Sequence, residues 1–298
     1  VGKILSSHPL VSIVSPSFNQ TSFVQGNLDS VTNQTYGNIE HIVIDGGSSD
    51  GTVDILRNHS LNNELNWVSE PDSGMYEAIN KGLNKAQGEI LAYLNTDDRY
   101  FSWTVSTVVK FFEKRPDVDV VFGDLWNVDV ETKRGELYLY PPFRNEYFFR
   151  SGFLGQPTVF WRRSVQEKLG NFDQSLQLVA DCDYWMRAAK QFKVGKINEV
   201  LAIEQDHLDA KRFAQATSLQ QEIHLVRTRH TKSGTTAPIL KIFDRVYPYI
   251  WRRIFLLQLG FTVLTHRWLR KMFRDQGRWS NFVSHTNLRM NWLKLAAS

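Results

Sequence analysis

Two adjacent carboxylates, Asp97 and Asp98, close the run Leu-Ala-Tyr-Leu-Asn-Thr-Asp-Asp. In an irregular loop such a pair can approach one divalent cation together with bound phosphate oxygens, because a hard cation takes oxygen ligands. An isolated pair is more simply a loop or a helix cap, with Asp98 capping a helix from Ser102. A second pair, Asp181 and Asp183, lies in the segment from Ala180 to Arg187. Asp183 precedes Arg187 by one helical turn with the acid on the N-terminal side, the favourable orientation for a surface ion pair. Asp181 sits about 200° around the helix from Asp183 and has Tyr184 and Trp185 at i+3 and i+4. A helix cap and a carboxylate facing a cleft are its two readings.

The elements that must position these groups follow from the apolar pattern. Leu10 to Ser15 is a β-branched run ended by Pro16, and Phe23, Leu28 and Val31 follow at helical spacing. Glu40 to Asp45 repeats the strand pattern before a Gly-Gly-Ser-Ser-Asp-Gly turn and a helix from about Thr52. Leu65 to Ser69 is a third strand, Met75 to Ala86 a helix, and Glu89 to Leu94 a strand. Three strand-to-helix units in succession predict a parallel sheet with helices on both faces. Further strands are expected at Val118 to Phe122, Glu136 to Tyr140, Thr158 to Trp161 and Val194 to Ile197, with helices at Ser102 to Lys114 and Asp181 to Gln191. Beyond Ile203 strand signals stop, and Ala210 to Thr231 and Ile239 to Trp268 read as helix. The expected division is 1–235 and 236–298.

In open parallel sheets ligands bind beyond the carboxyl ends of the strands. Three such ends are polar here: Ser15-Pro16-Ser17-Phe18-Asn19, Asp45-Gly46-Gly47-Ser48 and Asn95-Thr96-Asp97-Asp98.

Composition narrows the class. With 42% hydrophobic and 22% charged residues and a mean hydropathy of −0.34, the 298-residue chain is globular rather than disordered or fibrous. The single cysteine, Cys182, excludes an internal disulfide and a Cys-based zinc cluster, which favours a reducing compartment. No secretory pattern opens the sequence and no apolar run reaches 18 residues, so the expectation is a cytoplasmic chain that does not span a membrane. The net charge of +4 is uneven: residues 241–298 hold 11 of the 35 Lys+Arg but 2 of the 31 Asp+Glu, leaving 24 against 29 in residues 1–240. Interleaved Trp and Arg in that basic tail suit an anionic membrane surface, with peripheral attachment on its inner face. Packing on the catalytic body and pairing with a second copy, as a homo-oligomer, are the alternatives. Nucleic acid is not an expected partner, because the tail holds no nucleic-acid module.

The runs VSIVSPSFNQ, NQTYGNIEHIVIDGGSSDGT, LAYLNTDD and LVADCDYWMRAA, in that order, resemble the inverting family 2 glycosyltransferases over roughly residues 9–210. The resemblance implies an α/β fold of the GT-A type, a mixed and mostly parallel sheet flanked by helices, here with a helical C-terminal extension. It implies transfer of a sugar, of hexosyl type, from a nucleotide-diphosphate donor, UDP favoured, to the hydroxyl of a saccharide or lipid-linked acceptor. The expected cofactor is Mn²⁺ or Mg²⁺, and the expected setting is cell-surface polysaccharide synthesis.

Carried across residue by residue, Pro16, Ser17, Phe18 and Asn19 fall around the nucleobase, and Asp45 matches the residue that holds base or ribose, with an Asx turn as its alternative. Asp72 resembles a donor contact, and Lys81 is a candidate phosphate contact or a solvated lysine. Asn95 and Asp97 fall on the donor, and Asp98 is expected as the direct metal ligand. His207 matches a histidine that reaches metal or diphosphate in many members, or is structural. Gln156 falls on the acceptor side, where Trp185 would stack on a sugar face or else join the core. Asp181 matches the general base. Three positions depart from the commoner pattern: Asn95 for Asp, Ile79 for Arg and Ala180 for Glu. They motivate the rival reading, a non-catalytic sugar-nucleotide-binding or scaffolding protein. A nucleotidylyltransferase is disfavoured because SPSFNQTS is neither Gly-rich nor basic.

Overall fold

The computed structural model describes residues 5–145, 148–149, 154–207 and 216–230. Contacts group the chain into Val1–Thr235 and Thr236–Ser298. The second unit, with the expected helix at Ile239 to Trp268 and the basic tail, lies outside the described residues, as does 210–215 of the other expected C-terminal helix.

The first half alternates strand and helix: β1 (Val11–Ser17), α1 (Val24–Thr32), β2 (Ile39–Asp45), α2 (Thr52–Ser60), β3 (Asn66–Ser69), α3 (Met75–Lys85) and β4 (Ile90–Tyr93). The second half continues with β5 (Arg99–Tyr100), α4 (Thr104–Lys114), β6 (Val120–Asp129), β7 (Gly135–Tyr138), a 3-10 turn (Gln156–Thr158), β8 (Phe160–Arg162), α5 (Arg163–Leu169), α6 (Ala180–Ala189), β9 (Val194–Asp206) and α7 (Ala216–His230). Among the described residues these strands make one nine-stranded mixed sheet ordered β3-β2-β1-β4-β8-β6-β9-β5, with β7 on β6. Strands β3, β2, β1 and β4 are parallel, Val11 lying opposite Ile39 on one side and Ile90 on the other, so their carboxyl ends form one edge. Antiparallel β8 joins this half to β6, and β9 runs parallel to β6.

Side-chain alternation builds a core on each face. Val11, Ile13, Ile90 and Ala92 enter one cluster with α4, while Val14, Leu91 and Tyr93 enter the other with α3 and α6. A Cβ on Gly82 would fall 2.3 Å from Val14 Cγ1, so glycine is what lets α3 lie directly on β1. Asn80 on α3 then exchanges two 2.9 Å hydrogen bonds with the backbone of Phe172, anchoring the segment that leads to α6.

The expected elements of the first half recur within two residues. Features that were not predicted include the two-residue β5, the 3-10 turn, the short α5, a β6 that runs to Asp129 instead of ending at Phe122, and a β9 that runs to Asp206 instead of ending at Ile197. Residues 196–199 of β9 show no apolar alternation. Lys196 pairs with Phe122 and Val200 with Asp124, so 197–199 form an irregularity between two paired stretches of the strand.

Candidate active site

The first polar strand end is stapled to the third. Asn27 of α1, fully buried, donates to the carbonyls of Asn95 (2.9 Å) and Asp98 (3.0 Å) and accepts from Ser15 Oγ (3.3 Å). Thr96 Oγ1 donates to Pro16 O (3.1 Å). Asp98 N donates to Asn95 O (2.9 Å), so residues 95–98 form a tight turn whose successive side chains diverge. Asp98 turns inward: it is 3% exposed, and Gln205 N approaches its Oδ1 at 3.3 Å. Asp97 turns outward, and its Oδ2 lies 3.1 Å from His207 Nε2. Of the two, Asp98, expected as the direct metal ligand, is the buried carboxylate, and Asp97 is the one presented beside His207. His207 arrives from the end of β9, carried there by pairing of Arg99 with Ile203, and stacks against Phe23 with ring centroids 4.5 Å apart.

The second strand end is a self-contained turn. Asp45 is fully buried; its Oδ2 accepts from Gly47 N (3.1 Å), Ser48 N (2.9 Å) and Ser69 Oγ (2.7 Å), and its Oδ1 from Ser48 Oγ (2.5 Å). Asp45 thus makes the Asx turn that was the alternative to a base or ribose contact. Asn19 takes a left-handed backbone (φ 52°), donates its N–H to Ser48 Oγ (2.7 Å) and accepts from Ser49 N (3.0 Å), locking the first loop to the second. Phe18 beside it is 58% exposed, an aromatic face open for stacking. Asp72 accepts from Gly74 N (2.9 Å), and a Cβ on Gly46 would meet its Oδ2 at 2.9 Å, so this carboxylate rests against the second loop. Two buried polar atoms at these ends, Ser17 Oγ and Asn95 Oδ1, have no hydrogen-bond partner.

Lys81 of α3 forms a surface ion pair, its ammonium 3.0 Å from Glu70 and 2.8 Å from Glu77. Glu77 precedes it by one turn in the favourable order, which supplies the physical reason.

On the base side, Asp183 pairs with Arg187 (2.9 Å) as the spacing predicts, and also with His230 Nε2 (2.9 Å). Asp181, half-buried at the second position of α6, accepts a 3.1 Å hydrogen bond from the Tyr76 hydroxyl. Burial pushes the Asp181 carboxyl up to about 6; bonds from the Cys182 N–H and Tyr76 oppose the rise, and the charge of Glu204 adds to it. Burial, then the charge of Asp181, hold the Tyr76 phenol well above its ordinary value, so it remains a donor. Tyr93, at the end of β4, has its phenol held well above the ordinary value by burial first and then by the charges of Asp181, Tyr76 and Asp98. Gln156 Nε2 donates to Tyr93 O (2.9 Å), bringing the 3-10 turn to the same strand end.

Trp185 is corrected to core. It is 2% exposed, with Trp161, Tyr184 and Phe172 rings at 5.1, 5.1 and 6.0 Å, because its side of α6 packs inward. The residue that sequence reasoning passed over is Tyr76. Its signal was a phenol one residue into an amphipathic helix, since a buried Tyr hydroxyl seeks a partner.

Comparison with known proteins identifies the family and the fold. The family model described as glycosyl transferase family 2 matches residues 12–170. An uncharacterized glycosyltransferase of Mycobacterium tuberculosis (strain CDC 1551) is 32% identical over 192 residues, 62% of this chain and 71% of its own. A PGL/p-HBAD biosynthesis glycosyltransferase of Mycobacterium bovis (strain BCG) is 29% identical over 182 residues, 60% and 69% of the two chains. Among solved structures, S. aureus TarS 1–349 in complex with UDP-GlcNAc superposes with a TM-score of 0.62 at 17% identity, over 73% of this chain and 65% of that one. The mannosyltransferase PcManGT of Pyrobaculum calidifontis, in complex with GDP-Man and Mn²⁺, gives 0.59 at 19% identity, over 82% and 70%. At such identities the structures establish the shared GT-A architecture. With the family model covering more than half of the sequence, the chain belongs to glycosyl transferase family 2.

Proposed function

We propose that this chain transfers a sugar from a nucleotide-diphosphate donor to an acceptor hydroxyl with inversion, Asp181 acting as general base. The observation that carries the reading is the Asp181 carboxylate, oriented by Tyr76 and pushed up to about 6. A base whose pKa lies near the working pH is mostly deprotonated yet basic enough to accept a hydroxyl proton. The donor is assigned to the parallel strand ends, with Phe18 stacking on the base and Asn19, Asp72, Ser17 and Asn95 lining the loops. UDP-GlcNAc and GDP-Man, bound by the two structural neighbours, bracket the donor class, of which UDP-sugars are favoured.

Asp97 and His207 would hold a divalent ion. A carboxylate and an imidazole suit Mn²⁺ better than the all-oxygen preference of Mg²⁺. Among the described residues no group of three or more His, Cys, Asp or Glu could hold a metal, and oxygens of the donor diphosphate would supply the remaining ligands. When bound, the ion supplies Lewis-acid neutralisation of the leaving diphosphate. Asp181 takes the acceptor's proton as its oxygen attacks the sugar carbon, from the face opposite the leaving group. The acceptor is assigned to the saccharide or lipid-linked class used in cell-surface synthesis, approached from the Gln156 side. The basic charge of residues 241–298 suits peripheral docking on an anionic membrane; no helix among the described residues is long and apolar enough to cross one.

The test is Asp181→Asn, assayed for nucleotide release with UDP-GlcNAc and GDP-Man in the presence of Mn²⁺. Turnover is expected to fall by about 10²- to 10⁴-fold, with the donor-induced rise in melting temperature retained. Near-normal turnover would overturn the base assignment. Donor binding with no turnover in the parent chain would favour the non-catalytic reading.

A further inference from the structure

We infer that Glu222 of α7 is a positioning residue for Asp181: by clasping the backbone turn that leads into α6, it fixes the first turn of the helix that carries the carboxylate. The inference rests on the reading of Asp181 as the base. Helix α6 lacks a side-chain cap of its own, its N-cap position being Val179. Glu222, from another element, instead holds the two residues just before that position: Gln177 N donates to Oε1 (3.0 Å) and Leu178 N to Oε2 (2.9 Å). One carboxylate taking two backbone N–H groups fixes orientation as well as distance, and its charge sits favourably at a helix N-terminus.

The clasp has firm ground. Ile223 and Val226 of α7 are buried in the cluster that holds Trp185, Met186 and Ala189 of α6. Arg229 pairs with Asp173 (2.8 Å) and His230 with Asp183 (2.9 Å), so α7 engages α6 and the segment before it as well as the entry turn. That turn also touches the donor side: a Cβ on Gly74, the residue before α3, would lie 3.0 Å from Gln177 Oε1. Helix α3 carries Tyr76, the hydrogen-bond partner of Asp181. Shifting the turn thus misaligns base and partner while leaving the strand-end loops in place. Helix α7 lies downstream of the residues matched by the family model, which end at 170.

The experiment compares the full chain with Glu222→Ala, Glu222→Gln, Asp181→Asn and the double variant Asp181→Asn/Glu222→Ala, on whichever of UDP-GlcNAc and GDP-Man is turned over with Mn²⁺. In Glu222→Ala, kcat is expected to fall about tenfold with the donor KM within about twofold; on the Asp181→Asn background the same change should cost less than about twofold, because residues acting as a unit are non-additive. Glu222→Gln, which keeps the shape but turns an amide NH₂ toward one of the N–H groups, should lie between, and serves if the alanine variant does not fold. Amide hydrogen exchange across residues 176–183 gives a readout independent of substrate, expected to quicken by about tenfold or more once the clasp is removed. Equal losses on both backgrounds, an unchanged kcat, or unchanged exchange would overturn the role of Glu222 alone. Near-normal turnover in Asp181→Asn would instead remove the base reading itself.

Discussion

The donor half and the base half of this site are assembled by different means. In the loops after β2 and β3, two turns are shaped by their own carboxylates over short stretches: Asp45 holds Gly47 and Ser48, and Asp72 holds Gly74. The pairings of the proposed base and metal groups are remote, Tyr76 with Asp181 across 105 residues and Asp97 with His207 across 110. A turn is thus set by its own residue types, whereas the base and metal groups meet only after the sheet has closed. Loops of the first kind tolerate a lost side chain locally; the second kind transmits any packing error to the chemistry.

That contrast can be broken in order of effect. The loss of turnover in Asp181→Asn is the largest. Next, Trp185→Ala should destabilise the chain by about 3–5 kcal/mol, as large buried aromatics do, read as a fall in melting temperature. An unchanged melting point with lost turnover would return Trp185 to the acceptor. Third, Asp97→Ala should abolish the Mn²⁺-dependent part of the donor-induced melting shift, which for a ligand at 100 times its Kd is about 2.7 kcal/mol. Asp98→Asn should leave the metal dependence and lower stability by about 1–3 kcal/mol, the cost of disturbing a buried polar contact. The opposite pattern would restore the metal to Asp98.

Fourth, Tyr76→Phe tests the tuning of the base. The base must be deprotonated to act, so kcat/KM should rise with pH along a limb near 6 in the parent chain. The Tyr76 bond favours the charged carboxylate against burial and the Glu204 charge. Without it the limb should move to higher pH by roughly half to one unit, the equivalent of one ordinary hydrogen bond. A limb that stays in place would deny Tyr76 any influence on the base. The smallest effect belongs to Lys81→Ala, expected to leave both melting temperature and donor shift unchanged. A lost donor shift would make Lys81 a phosphate contact after all.

Strand alternation at Leu10 to Ser15, Glu40 to Asp45 and Glu89 to Leu94, with glycine-rich or polar turns after each, sufficed to read the parallel half and the edge where its ends converge. The i, i+4 spacing of Asp183 and Arg187 likewise announced their ion pair and separated Asp183 from Asp181. These are short-range facts, and helix and strand periodicity carry them. Which of two adjacent carboxylates would face outward, which face of α6 would bury Trp185, that Tyr76 would find Asp181, and that Glu222 would clasp the turn before a helix from 44 residues downstream were decided by tertiary structure. Each depends on a crossing or a register set by distant segments, such as Arg99 opposite Ile203 or Gly82 against Val14, and neither side of such a contact encodes its partner locally.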